Sequence, residues 1–230
     1  MSAPTPHIQT RRGECLQSPQ KTVGANACGA RIIMNKNLRI NRIVSIALMT
    51  AVICVLSPFA ISIPVSPVPI SLATFAIYLT VIILGWEDGT ISVLVYVLLG
   101  FAGAPVFTGF TGGAGKVLGP TGGYIIGYIF LAFIEGAFVD GARRARPYKE
   151  GLRKRSPLQN GVSPLLGMVL GTIVLYVIGT IWLMRQAGLT VVAAFSAGVL
   201  PFIVGDIVKM IVALFAGTKI RSALVKSNLI

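Results

Sequence analysis

The stretch "GFTGGAGKVLGPTGGY", residues 109–124, carries seven glycines and a single lysine. That is the composition of a loop that cradles a nucleotide phosphate. The spacing denies it. A Walker loop requires G-x-x-x-x-G-K-[ST], with backbone N–H groups around the phosphate and a hydroxyl for magnesium. Gly115 and Lys116 supply the GK pair, but Phe110 stands where the first glycine belongs and Val117 where the hydroxyl belongs. A dinucleotide G-x-G-x-x-G reading from Gly113 meets Leu118 at its third glycine. The loop has another use, and the chain around it says which.

That chain is 230 residues long, 54% hydrophobic and 12% charged, with a mean hydropathy of +0.82. Soluble domains carry about 25% charged residues, so the sequence reads as an integral membrane protein. A spanning helix needs roughly 17–25 apolar residues. Six candidate spans emerge, at roughly 43–60, 71–86, 89–103, 122–139, 162–184 and 191–217. Several are short or interrupted by glycine and proline.

The net charge of +13 is concentrated. Seven basic residues, Arg11 to Arg42, precede the first span, and seven more, Arg143 to Arg155, lie between the fourth and fifth. Three follow the sixth: Lys219, Arg221 and Lys226. Six crossings put these clusters on one side, which the positive-inside rule makes cytoplasmic. Both termini are then inside and residues 104–121 outside, away from cytoplasmic ATP. The basic clusters serve topology rather than nucleic-acid binding.

Residues 1–39 form a polar, basic extension without periodicity, expected to be disordered. Met34 opens "MNKNLRINRIVSIALMTAVICVL", which has the form of a natural start. A basic segment before an apolar one also has the form of a signal peptide, but no A-x-A-like site follows. The transmembrane domain is expected over 40–220 and a cytoplasmic tail over 221–230. His7 is the only histidine, and Cys15, Cys28 and Cys54 have no metal or disulfide spacing. No metal, cofactor or catalytic set is implied, so the chain is not expected to be an enzyme.

Three segments break the helical pattern, and all fall on the outer side of this topology. They are "SIPVSPVPIS" at 62–71, the glycine-rich loop, and the surroundings of Pro201, between Gly198 and Gly205. Proline fixes φ and removes a donor. Irregular backbone at membrane depth is tolerated only when buried in protein or lining a cavity. These segments carry almost no charge, as lids over a pocket would. Glycines there let the backbone approach a ligand closely.

Ionisable residues inside spans sort into two kinds. Glu87 and Asp88 form an inner turn, and Glu135 and Asp140 are expected to pair with basic residues at the inner interface. Asp206 and Lys209, within "FIVGDIVKMIVALF", are different: three residues apart, they share one helix face. A helix starting near Pro201 puts Asp206 about 7–8 Å below the outer surface. Burying such a group costs at least ~2.5–3.5 kcal/mol on the insertion scale, so these residues mark functional sites or pair with each other to orient a helix. An outward pocket floored by Asp206 and Lys209 would suit a small amphiphilic molecule. On the first helix, Ala47 and Ala51 have the small-xxx-small spacing that lets helices pack closely in lipid.

"SPVPISLATF", "LLGFAGAPVFTGFTGGAGKVLGPTGGY" and "GDIVK" resemble, in order, the BioY family, the biotin-specific substrate-binding (S) components of energy-coupling factor (ECF) transporters. The resemblance runs from about residue 40 to 220. It implies an all-α, six-helix protein of the prokaryotic cytoplasmic membrane with an outward biotin pocket capped by loops. It also implies partners: a transmembrane coupling protein and two cytoplasmic ATPase subunits, which would hydrolyse the ATP. Carried over position by position, Asp206 and Lys209 match the family's Asp-x-x-Lys, and Thr111, Gly112, Gly113 and Tyr124 occupy pocket positions. Ala47 and Ala51 match the alanine motif that docks the coupling protein. Two positions depart: Ala73 stands where members often have glutamine, and Ile125 where some have the arginine that meets the biotin carboxylate. Lys116, the only basic residue in the capping loop, is then the candidate for that carboxylate.

Two other readings fit the composition. An ion-coupled secondary transporter would use Asp206 as its cation site, but would need inverted repeats, and residues 40–120 and 120–220 show none. An S component for another vitamin would differ only in its loop residues.

Overall fold

In a computed structural model of the chain the described residues are 40–61, 70–144 and 157–227. The basic extension before residue 40, residues 62–69 of the proline-rich segment, and residues 145–156 of the basic loop lie outside them. The chain divides into two units, Met1–Ile40 and Asn41–Ile230, and the second carries the fold.

The elements are helix α1 (Ile40–Leu56), strands β1 (Ala60–Ile61) and β2 (Ile70–Ser71), and helices α2 (Ala73–Leu84), α3 (Trp86–Phe101), α4 (Ala114–Leu118), α5 (Gly122–Arg144), α6 (Pro157–Ala187), α7 (Val191–Gly198) and α8 (Leu200–Lys226). The architecture is all-helical. Strand pairing among the described residues is confined to the antiparallel β1–β2 ribbon, two residues a side, and an isolated bridge between Phe107 and Thr111.

Helix lengths follow the sequence reading unevenly. On length and hydropathy, three segments are fit to cross a bilayer: 122–141, 162–187 and 191–224. The α2 helix has only 12 residues, about 18 Å at 1.5 Å per residue, against a hydrocarbon core of about 30 Å. The last expected span, 191–217, is two helices. Val199, at φ −128° and ψ −55°, separates α7 from α8, and Pro201 falls in the first turn of α8, where its missing N–H costs nothing.

The α5 and α6 helices form the most extensive contact in the bundle, and glycines make it possible. A Cβ on Gly127 would stand 2.6 Å from Leu175 Cδ1, one on Gly171 2.9 Å from Leu131 Cδ1, and one on Gly167 3.0 Å from the Cα of Glu135. These pairs step one turn at a time in opposite directions along the two helices, so the seam is antiparallel and close. In lipid, where apolar burial between helices adds little, such close backbone approach drives association. The GxxxG pairs Gly123/Gly127 and Gly167/Gly171 were its sequence signature.

The seam corrects one expectation. Glu135 does not pair with a basic residue: it is fully buried, and neither carboxyl oxygen has a hydrogen-bond partner among the described residues. The reason is packing: Glu135 lies against Gly167 of α6, where the two backbones come close. Asp140, five residues further, accepts the backbone N–H of Trp86 at 3.3 Å. Glu87 and Asp88 both pair with Arg42, joining the starts of α1 and α3. At that same end Arg221 donates to the carbonyl of Ile82.

The described parts of the irregular segments gather at the opposite end. Gly109 N–H donates to Pro58 O at 2.9 Å, and Phe59 and Phe110 meet edge to face at 5.8 Å. Trp182 Nε1 donates to Gly119 O at 2.9 Å, and Tyr124 Oη to Gly198 O at 3.0 Å. Phe107, fully buried, packs edge-on against Tyr96 and covers Gly100.

Filling the seam should therefore be costly. Gly171→Leu is expected to lose about 1–3 kcal/mol through overpacking, read as a lowered unfolding temperature in detergent. Gly115→Ala, whose Cβ meets nothing within 4 Å, should stay near wild type; equal losses in both would refute the seam.

Candidate functional site

Asp206 lies six residues into α8, about 9 Å along it, and is 4% exposed. Three donors converge on its carboxylate. Lys209 Nζ reaches Oδ1 at 2.9 Å, Thr74 Oγ1 reaches Oδ1 at 3.3 Å, and Tyr176 Oη reaches Oδ2 at 2.6 Å. Lys209 also donates to Thr74 Oγ1 at 3.2 Å and to the carbonyl of Ser71 at 2.7 Å. All three ammonium donors are thus engaged. Ser71, in turn, donates from Oγ to Ser57 O and accepts the N–H of Ala73, which starts α2. One buried ion pair ties α2, α6, α8 and the β1–β2 ribbon together.

Two cavities bear on the site, the larger lined by Asp206 and Tyr176 of this network and the smaller by none of its members. The larger, about 540 Å³, is a groove between α6, α7 and α8. Its wall is almost wholly apolar, with Val177, Ile203 and Met210 among its residues, and Thr172, Tyr176 and Asp206 lie along it. Its volume falls in the usual range for small-molecule pockets, roughly 300–1,000 Å³. The smaller, about 20 Å³, lies under the glycine-rich loop between Tyr96, Lys116, Thr121, Tyr124, Ile125 and Tyr128. That is room for one water-sized group.

The residues singled out from sequence divide between these places. Asp206 lines the groove, with Lys209 bonded to it. Lys116 and Tyr124 line the small cavity. Thr111, Gly112 and Gly113 line neither of these cavities and instead shape the loop. Thr111 is exposed, with its hydroxyl donating to Thr108 O. Gly112 presses on the carbonyl of Ala104, where a side chain has no room, and Gly113, at φ 91°, donates to Gly100 O at 2.7 Å. Ile125 faces the same small cavity as Lys116, so the loop rather than α5 supplies the basic group there. Ala73 is fully buried at the start of α2. Ala47 and Ala51 are exposed on α1, on the face that also exposes Val44, Leu48 and Val55.

Sequence reasoning passed over Tyr176, Thr74 and Ser71. Tyr176 left one trace, a phenol in the apolar run "TIVLYVIGT"; nothing in the sequence paired it with Asp206.

An all-helical bundle with long apolar helices and a charged network beside a ligand-sized groove defines a membrane protein with the features of a small-molecule binding subunit. The chain belongs to the BioY family, which it matches over residues 34–226. It is 38% identical over 161 residues to the probable biotin transporter BioY of Pyrococcus horikoshii, covering 70% of this chain and 85% of that one. To biotin transporter BioY2 of Lactococcus lactis it is 31% identical, covering 84% and 97%. Among solved structures it is similar to the S-component for biotin from an ECF-type ABC transporter, with a TM-score of 0.70 and 32% identity over 81% of this chain and 93% of that one.

The ion pair has a measurable signature. Removing one partner of a buried pair strands the other charge, at about 3–5 kcal/mol. Lys209→Met alone should destabilise the detergent-solubilised protein more than the double variant Asp206→Asn/Lys209→Met. A double variant less stable than the single would show that the pair is not buried as a unit.

Proposed function

We propose that this chain captures biotin at the outer face of the prokaryotic cytoplasmic membrane, as the S subunit of an ECF-type transporter whose ATP is hydrolysed by partner subunits. The observation that carries the reading is the Asp206–Lys209–Tyr176 cluster beside a groove of ligand size, in a chain similar throughout to biotin transporters.

The chemistry matches. Biotin presents a ureido ring with two N–H donors and one carbonyl, an apolar bicycle and chain, and a carboxylate. Asp206 Oδ2 accepts one hydrogen bond, from Tyr176, and a carboxylate oxygen has capacity for two. A ureido N–H supplies the second. Lys209 balances the carboxylate charge. The biotin carboxylate goes to Lys116 on the glycine-rich loop, beside the small cavity. Thr111, Gly112 and Gly113 hold the loop in shape over the ligand, and Tyr124 supports it through its bond to Gly198. Binding requires no covalent step and no cofactor.

In this reading residues 40–220 cross the bilayer six times with both termini cytoplasmic. The gathered end of the glycine-rich loop, the ribbon and α7 faces outward. Residues 1–39 are an extension and 221–230 a cytoplasmic tail. The exposed Ala47 and Ala51 of α1 are the docking stripe for the transmembrane coupling protein, which brings the two ATPase subunits.

Equilibrium binding of labelled biotin to the purified protein, without ATP or partners, tests the capture function; a folded protein that does not bind would end it. Lys116→Ala should weaken biotin binding about 10- to 100-fold, the worth of a hydrogen bond between charged groups, and leave biotinamide unchanged. Equal losses for both ligands would remove Lys116 from the carboxylate. Ala47→Leu/Ala51→Leu should keep biotin binding and lose uptake in cells expressing the coupling protein and ATPases; retained uptake would move the docking stripe elsewhere.

A further inference from the structure

Resting on the biotin reading of this site, we propose that Tyr176 is a positioning residue: its hydroxyl orients the Asp206 carboxylate so that the free acceptor position of Oδ2 meets the ureido head of the ligand.

The two carboxylate oxygens of Asp206 are held differently. Oδ1 is occupied by two donors, Lys209 Nζ at 2.9 Å and Thr74 Oγ1 at 3.3 Å. Those two are also bonded to each other, and Lys209 is further anchored to the carbonyl of Ser71. Oδ1 therefore belongs to the structural network that joins α8 to α2 and the ribbon. Oδ2 has one partner, Tyr176 Oη, at 2.6 Å, a short bond of the charge-assisted kind. Each oxygen can accept two hydrogen bonds, so Oδ2 is the oxygen with capacity left. It is turned toward α6, and Asp206 and Tyr176 both line the large groove.

The carboxylate has one soft torsion at its terminal sp³–sp² bond, which is broad and roughly two-fold. Lys209 and Thr74 hold one edge of the carboxylate. Tyr176, from a different helix, holds the other edge and narrows the swing about that torsion. A planar ureido N–H needs a defined lone-pair direction, because hydrogen bonds weaken steeply off axis. Tyr176 keeps a lone pair on its own oxygen while donating, and its ring is part of the groove wall. Phenylalanine at 176 preserves that wall and removes only the hydroxyl.

The test is equilibrium binding of biotin and of desthiobiotin, which keeps the ureido ring and lacks the thioether ring, to wild type, Tyr176→Phe and Thr74→Val. Tyr176→Phe should lose about tenfold in affinity, one hydrogen bond's worth, by the same factor for both ligands. The biotin-to-desthiobiotin ratio, which reads packing of the bicycle against the groove, should stay at its wild-type value, while the unfolding temperature of the protein without added ligand falls, because a buried carboxylate loses a donor. Thr74→Val, losing the longer bond on the other oxygen, should cost less affinity than Tyr176→Phe. Wild-type affinity in Tyr176→Phe would overturn the proposal. So would a changed ligand ratio, or a loss of affinity in Thr74→Val as large as that in Tyr176→Phe, either of which assigns Tyr176 to the general packing of the network. Wild-type protein that binds neither ligand would instead overturn the biotin reading and this inference with it.

Discussion

The structure depends on keeping one carboxylate, Asp206, satisfied at membrane depth. An ionised group in that environment persists only when paired and hydrogen-bonded. Asp206 gathers its donors from three helices: Lys209 on its own α8, Thr74 on α2 and Tyr176 on α6. Lys209 in turn takes the carbonyl of Ser71, where the ribbon hands over to α2. Moving any one of these elements strands a charge. The ion pair thus sets where α8 sits against the short helix α2, and where the ribbon is tied down.

A second constraint is steric. The α5–α6 seam brings two backbones together through Gly127, Gly167 and Gly171, with leucines 131 and 175 folded over the glycines of the opposite helix. Hydrocarbon solvates leucine as well as a protein core does, so shape rather than burial holds such helices together. The seam also encloses Glu135 without a hydrogen-bond partner among the described residues. Position along α5, not residue type, separates it from Asp140, which accepts the Trp86 N–H.

These constraints leave Asp206 and Lys116 on different supports. Asp206 stands on a membrane helix, braced from two sides. Lys116 stands on α4, five residues within the capping loop, itself tied to α3 through Gly113 and Gly100 and to the base of the ribbon through Gly109 and Pro58. Asp206 is thus fixed in a helix bundle, whereas Lys116 is carried by a loop. Thr111, Gly112 and Gly113 contribute backbone geometry, not side-chain contacts to either cavity.

Sequence alone determined the membrane class and the broad helix positions, and it singled out Asp206 and Lys209, because hydrocarbon penalises charge so heavily that two charges in an apolar run stand out. It also carried the motifs that resemble the BioY family, the glycine-rich loop above all. Tertiary structure decided the rest. Tyr176 and Thr74 became ligands of one carboxylate only when α6 and α2 packed against α8, a pairing that no local spacing encodes. Pro201 marked irregularity, but the break at Val199 depended on how α7 folds back over the groove. The burial of Glu135 depended on how closely α6 packs against α5. The division of Lys116 and Asp206 between two cavities was likewise invisible: periodicity reports which face of a helix is apolar, and only the packing of helices reports what that face meets.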